Sequence, residues 1–171
     1  MAAENFCSLQ LHGCHCGYFG DRRRTCRCSS TQIRQYQARI SGPLLDRIDI
    51  HVEVPSLPYR EITERNFSED SQTIRSRVQQ ARKRQEERLT GQNAAVNASM
   101  SDRQIKDYCR LNEDCRNLLE MAMEKLGLSI RAYTRIIKVA RTIADLEGTA
   151  DIASSHIAEA IQYRTLDRRM I

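Results

Sequence analysis

Four cysteines in two close pairs, Cys14-His15-Cys16 and Cys26-Arg27-Cys28, are the side chains of this sequence best suited to hold a ligand. Four thiolates can surround a tetrahedral zinc at about 2.3 Å each, and glycines beside the ligands (Gly13, Gly17, Gly20) let the backbone wrap closely around an ion. Cys7, His12 and His15 are substitute ligands. The one-residue spacing within each pair is tighter than is usual for zinc sites, so a reduced thiol-rich loop and redox chemistry stand as alternatives. Arg22, Arg23, Arg24 and Arg27 crowd the same segment, and guanidinia on a metal loop suit nucleic-acid phosphates.

A second set of cations, Arg131, Arg135 and Lys138, recurs with Thr142 at helical spacing opposite an apolar stripe. Such a face can meet phosphates or stay solvated. A third feature, Leu44-Leu45-Asp46-Arg47-Ile48-Asp49, sets one arginine between two acids and reads locally as a salt-bridged turn. No phosphate-binding G-x-x-x-x-G-K-[ST], no H-E-x-x-H and no nucleophile elbow occurs.

The elements that must carry these residues are mostly helical. Seven Gly and three Pro in 171 residues argue against a chain of many β-turns. The 40% apolar share allows a small core, and the formal charge of +5 permits a polyanionic partner. No apolar run is long enough to span a bilayer, and the first residues lack the basic and apolar regions of a secretory signal. An odd count of seven cysteines fits a reduced cytosolic chain.

Residues 1–29 read as an irregular loop. Ser30 or Thr31 opens a helix reaching residue 40, Gly42-Pro43 breaks it, and residues 44–48 add a short helical turn. Residues 49–54 alternate with period two and predict a strand ended by Pro55. A long polar helix spans 71–89, with a thin stripe of Ile74, Val78, Ala81 and Leu89. Residues 90–99 read as a linker. Four helices follow, capped by Ser101, Asn112, Ser129 and Ser154 or Ser155, with stops at Gly127 and Gly148. The domains expected are 1–99 and 100–171.

Several blocks occur in a telling order: Cys-His-Cys-Gly-Tyr-Phe-Gly-Asp (14–21), Cys-Arg-Cys-Ser (26–29), Ile-Ser-Gly-Pro-Leu-Leu-Asp-Arg-Ile-Asp-Ile-His-Val-Glu-Val-Pro (40–55), Leu-Gly-Leu-Ser-Ile-Arg-Ala-Tyr (126–133), Val-Ala-Arg-Thr-Ile-Ala-Asp-Leu-Glu-Gly (139–148) and Ala-Ile-Gln-Tyr-Arg (160–164). Together they resemble the C-terminal part of the magnesium-chelatase-like AAA+ ATPases of the YifB/ComM family. The resemblance covers nearly the whole chain. It implies a mainly α fold: a four-helix lid bundle over 100–171, preceded over 1–99 by an incomplete α/β core remnant with the Cys-rich loop, an arginine-finger strand and the long helix.

The resemblance also implies roles. Arg47 matches the arginine finger that reaches a neighbouring subunit's nucleotide, Arg131 the sensor-2 arginine, and Asn5 the sensor-1 polar residue. The family pattern implies a hexameric ring using ATP and Mg, with DNA branch migration associated with the ComM branch. Because the Walker A and B residues are absent here, the chain is expected to be a fragment without ATPase activity of its own. The alternative expectation, from the residues alone, is a stand-alone zinc-bearing nucleic-acid-binding protein.

Overall fold

The computed structural model describes residues 12–21, 23–52, 54 and 69–164. Among them are seven α-helices: α1 (Ser30–Gln37), α2 (Gly42–Leu45), α3 (Ser71–Arg88), α4 (Asp102–Tyr108), α5 (Glu113–Leu126), α6 (Ile130–Glu147) and α7 (Ser154–Gln162). A 3-10 turn, Asn97–Ser99, lies between α3 and α4. None of the described helices is long and apolar enough to cross a membrane.

The helix ends follow from local chemistry. Ser101, Asn112 and Ser129 each accept a backbone N–H three residues on, satisfying a donor that the first turn leaves unpaired. Gly127 and Gly148 close α5 and α6 in the left-handed conformation. Gly148 has a second constraint, since a Cβ there would stand 3.0 Å from the Arg84 guanidinium. Two starts differ from expectation. The cap of α1 is Ser29, because Gln32 completes a capping box with it. At α7 the cap position is Ala153, which has no side-chain acceptor, and the His156 Nδ1 accepts the Ala153 N–H instead.

Helix α6 is the hub. It packs against α3, α4, α7 and the 3-10 turn, while α7 also packs on α5. Its buried Ile136, Ile137, Ala140 and Ile143 meet Leu119 of α5 and Ile157 of α7. Segment 90–99, read as a linker, is part of this packing: Ala94 and Asn97 are buried, flanked by buried Leu89 and Met100. Helix α3 joins only at its C-terminal half, where Ala81, Gln85 and Leu89 are buried, whereas Ile74 and Val78 remain exposed.

The strand expected over 49–54 is not formed among its described residues. Its described residues are irregular, and Val54 is 85% exposed. A lone extended segment gains nothing from alternation when no neighbour takes its backbone groups. Here His51 N–H instead donates to the carbonyl of Tyr163, at 2.8 Å, just beyond α7. The described structure is therefore helical, without the α/β portion expected for the core remnant.

The hub is fixed by one fully buried carboxylate. Asp145 of α6 is 0% exposed. Arg88 of α3 binds both its oxygens, Arg141 stands one turn earlier at 3.2 Å, and Asn97 Nδ2 donates to Oδ2 at 2.8 Å. Arg141 also donates to the carbonyls of Thr149 and Ala150, and Arg84 to the carbonyl of Asp145. Burial pulls the Arg141 pKa below its ordinary value, opposed by the Asp145 charge. Removing the acid would leave cations buried without their counter-charge, which is the costly way to break such a pair. Asp145→Ala is expected to destabilise the protein by roughly 3–5 kcal/mol, read by denaturant unfolding. Glu120→Ala, on the exposed face of α5, should stay within about 0.5 kcal/mol; equal losses would refute the assignment.

Candidate functional site

The two cysteine pairs converge. Cys14 Sγ lies 3.3 Å from Cys16 Sγ and 3.6 Å from Cys26 Sγ, and Cys16 to Cys26 is 3.6 Å. With Cys28 added, all four sulfurs lie within 4.8 Å of one another. Sulfurs about 2.3 Å from a shared tetrahedral ion stand about 3.8 Å apart, so this cluster could hold a metal without large rearrangement. All four are free thiols. His12 and His15, weighed as substitutes, are not in the group, and Cys7 lies outside the described residues.

The loop closes through local backbone geometry. Gly17 adopts φ 80° and returns its N–H to the carbonyl of Cys14 at 3.1 Å, folding the first pair into a tight knuckle. Backbone hydrogen bonds from Tyr18 and Arg27 bring Cys16 down to about 6. A backbone hydrogen bond at Cys28 favours the Cys26 thiolate, but burial and the neighbouring thiols outweigh it and push Cys26 up to about 12. Cys28 is also raised: its hydrogen bond with the Cys16 backbone favours the thiolate, but the Cys16 side chain and burial act more strongly the other way. The knuckle leans on α1, where the His15 and Tyr36 rings lie 5.7 Å apart and Gln37 Nε2 donates to the carbonyl of Gly13. Arg24 lies over the Tyr18 ring, 5.1 Å from its centroid.

The second part of the site is the turn after α2. Ser41 caps this helix and Asp46 ends it. Neither acid beside Arg47 pairs with it, so the salt-bridged turn expected from the sequence is not the arrangement. Asp46 accepts from Ser129 Oγ at 2.8 Å and faces Arg164 at 3.7 Å, and Asp49 is bound by Arg135. The Arg47 side chain is exposed and has no hydrogen-bond or ionic partner among the described residues, although its carbonyl accepts from Arg135 at 2.9 Å.

The cationic face of α6 divides in two. Arg131 is exposed and without a polar partner among the described residues. The others are engaged within the chain: Arg135 holds the Arg47 turn, Lys138 donates to the carbonyl of Ala98, and Thr142 bonds Asn97. Burial lowers the pKa of both Arg135 and Lys138. That face is therefore partly a packing surface. Asn5, expected as the sensor-1 residue, lies outside the described residues.

Sequence reasoning missed Arg164, Arg88, Asn97 and Asp145. A signal existed for Asp145: Ile137, Arg141 and Asp145 follow one another at four-residue spacing, so the charged pair shares a line with an apolar position. Arg164 had no local signal, because its partners lie more than a hundred residues earlier.

Comparison with known proteins accounts for most of the chain. The family described as magnesium chelatase, subunit ChlI C-terminal, matches residues 68–164, and magnesium chelatase, subunit ChlI, matches residues 3–62. The competence protein ComM of Haemophilus influenzae is 43% identical over 152 residues, covering 88% of this chain and 28% of that protein. YifB of Salmonella typhimurium is 43% identical over 147 residues, covering 85% and 28%, and YifB of Escherichia coli is 42% identical over the same shares. The chain thus spans little more than a quarter of these relatives' length. On these matches, the helical unit built around α6, with the Cys-rich segment before it, belongs to the magnesium chelatase subunit ChlI family.

Proposed function

We propose that this chain works as the nucleotide-sensing, subunit-completing part of a ComM/YifB-type AAA+ ATPase that remodels DNA by ATP-dependent branch migration. Arg47 is its arginine finger and Arg131 its sensor-2 residue. The observation carrying the reading is a contrast within one small region: Arg47 and Arg131 are exposed with no partner among the described residues, while their neighbours Arg135 and Arg164 are engaged within the chain. A guanidinium kept free beside others that are bonded suits an external anion, and a γ-phosphate is such an anion. The assembly is a cytoplasmic hexameric ring, with ATP and Mg held by upstream residues and Asn5 near the sensor-1 position. The chain alone turns over no ATP, since its sequence carries no G-x-x-x-x-G-K-[ST] phosphate loop.

In an upstream-complete protein, Arg47→Ala should lower turnover by roughly 10³-fold or more while nucleotide binding stays nearly intact. Mixing these subunits with subunits lacking the phosphate-loop lysine should restore some activity, because finger and phosphate loop come from different chains. Parental turnover in Arg47→Ala would overturn the finger assignment.

The four-cysteine cluster is read as a structural zinc site that pins the loop to α1. Purified protein should carry about one equivalent of zinc. Loading the apoprotein in weak buffer at about pH 7 should release protons from Cys26 and Cys28, whose raised pKa values keep both protonated there. Less than about a tenth of an equivalent, with four titratable thiols, would refute it.

A second reading, a zinc-bearing nucleic-acid-binding module, is favoured by Arg23, Arg27, Arg34 and Arg39, all exposed and without a polar side-chain partner among the described residues. On this reading the chain by itself should shift the anisotropy of a labelled oligonucleotide. Arg23→Ala and Arg27→Ala would each reduce the salt slope by about 1. An unchanged slope would remove this reading.

A further inference from the structure

The turn bearing Arg47 is held by the lid with unusual completeness. The Arg47 N–H donates to the carbonyl of Leu44 at 3.0 Å, and its own carbonyl accepts from Arg135 at 2.9 Å. One residue on, the carbonyl of Ile48 accepts from Arg164, a side chain only 1% exposed. On either side, Asp46 is bound by Ser129 and faced by Arg164, while Asp49 is bound by Arg135. The backbone around Arg47 is therefore pinned while its side chain stays free.

The clamp leads to Arg131, which is likewise exposed and without a polar partner among the described residues. Ser129, which donates to Asp46, also caps α6 by accepting the Ala132 N–H at 3.1 Å. Arg131 is the second residue of that helix, and Arg135 follows one turn later on the same side. A single helix start thus presents Arg131 outward and grips the turn that presents Arg47.

We infer that Arg135 and Arg164 are positioning residues that lock the Arg47 turn to the start of α6 and to the end of α7, so that Arg47 and Arg131 move as one body. This rests on the reading of Arg47 as the finger. If the finger and sensor of one subunit serve nucleotide at ring interfaces, a lid shift driven by nucleotide at Arg131 must carry Arg47 with it. Neighbouring sites would then be coupled through this clamp rather than through the bundle core. Pinning the backbone also leaves only side-chain freedom to be lost when Arg47 meets a phosphate.

Two measurements test this. The first uses the present chain and is independent of catalysis. Arg135→Ala, and Arg164→Lys as the milder change at the buried position, should speed hydrogen exchange over residues 46–51 by about tenfold or more, leaving α5 and the second half of α6 unchanged. Unchanged exchange at 46–51, or a rise throughout the bundle, overturns the clamp.

The second uses this chain joined to a ComM-type core that supplies the phosphate loop. Arg135→Ala should lower kcat by about tenfold with the KM for ATP within about twofold, and Arg135→Lys, which keeps one donor for the Arg47 carbonyl, should recover part of the loss. Combined with Arg47→Ala, Arg135→Ala should add no further loss. Additive losses overturn the positioning role. Parental turnover in Arg47→Ala with altered exchange at 46–51 would fault the finger reading and leave the clamp standing.

Discussion

The rest of the molecule depends on keeping the buried Asp145 charge satisfied. A carboxylate with no exposed surface must find donors, and it finds them on three separate segments: Arg88 of α3, Asn97 of the 3-10 turn and Arg141 of its own helix. Those donors cannot be supplied unless α3 and residues 89–100 come down onto α6. Apolar burial drives the collapse, at about 1.5–3 kcal/mol for each fully buried Leu or Ile, but it does not discriminate well between neighbouring registers. A bidentate guanidinium against a carboxylate does, because its donors are fixed in a plane.

The same chemistry recurs at the periphery with another purpose. Arg135 and Arg164 bind carbonyls and acids of the 46–49 turn, and Lys138 binds the carbonyl of Ala98. Five basic side chains, Arg84 and Arg88 included, thus act as internal connectors between segments distant in sequence. Against that background the free guanidinia of Arg47 and Arg131 carry information. Both lie beside Arg135 and Arg164, which are engaged within the chain, and both have no partner among the described residues.

The cysteine loop is organised differently. Its order comes from neighbours within the loop and from α1: a glycine turn at Gly17, backbone donors to Cys16, and the contacts of His15 and Gln37. Such a loop encloses little apolar area, and its four sulfurs lie close enough together that a metal could hold them.

Much of this was legible in the residues themselves. The starts of α4, α5 and α6 and the ends of α5 and α6 followed from serine and asparagine caps and from Gly127 and Gly148, because capping is settled within one turn of chain. The grouping of Cys14, Cys16, Cys26 and Cys28 was readable for the same reason. What sequence could not decide was anything requiring a distant partner. Alternation over 49–54 predicted a strand, but no neighbouring strand takes up its edges among the described residues, and the segment lies instead against the end of α7. Arg131, Arg135 and Lys138 looked equivalent on one helix face. Only the arrival of the 46–49 turn and of Ala98 consumed two of them and left the third exposed. Asp145 likewise became a structural centre only when α3 delivered Arg88. Local spacing determines which groups a segment presents, whereas whether a charge is satisfied depends on what the folded chain brings within about 3 Å of it.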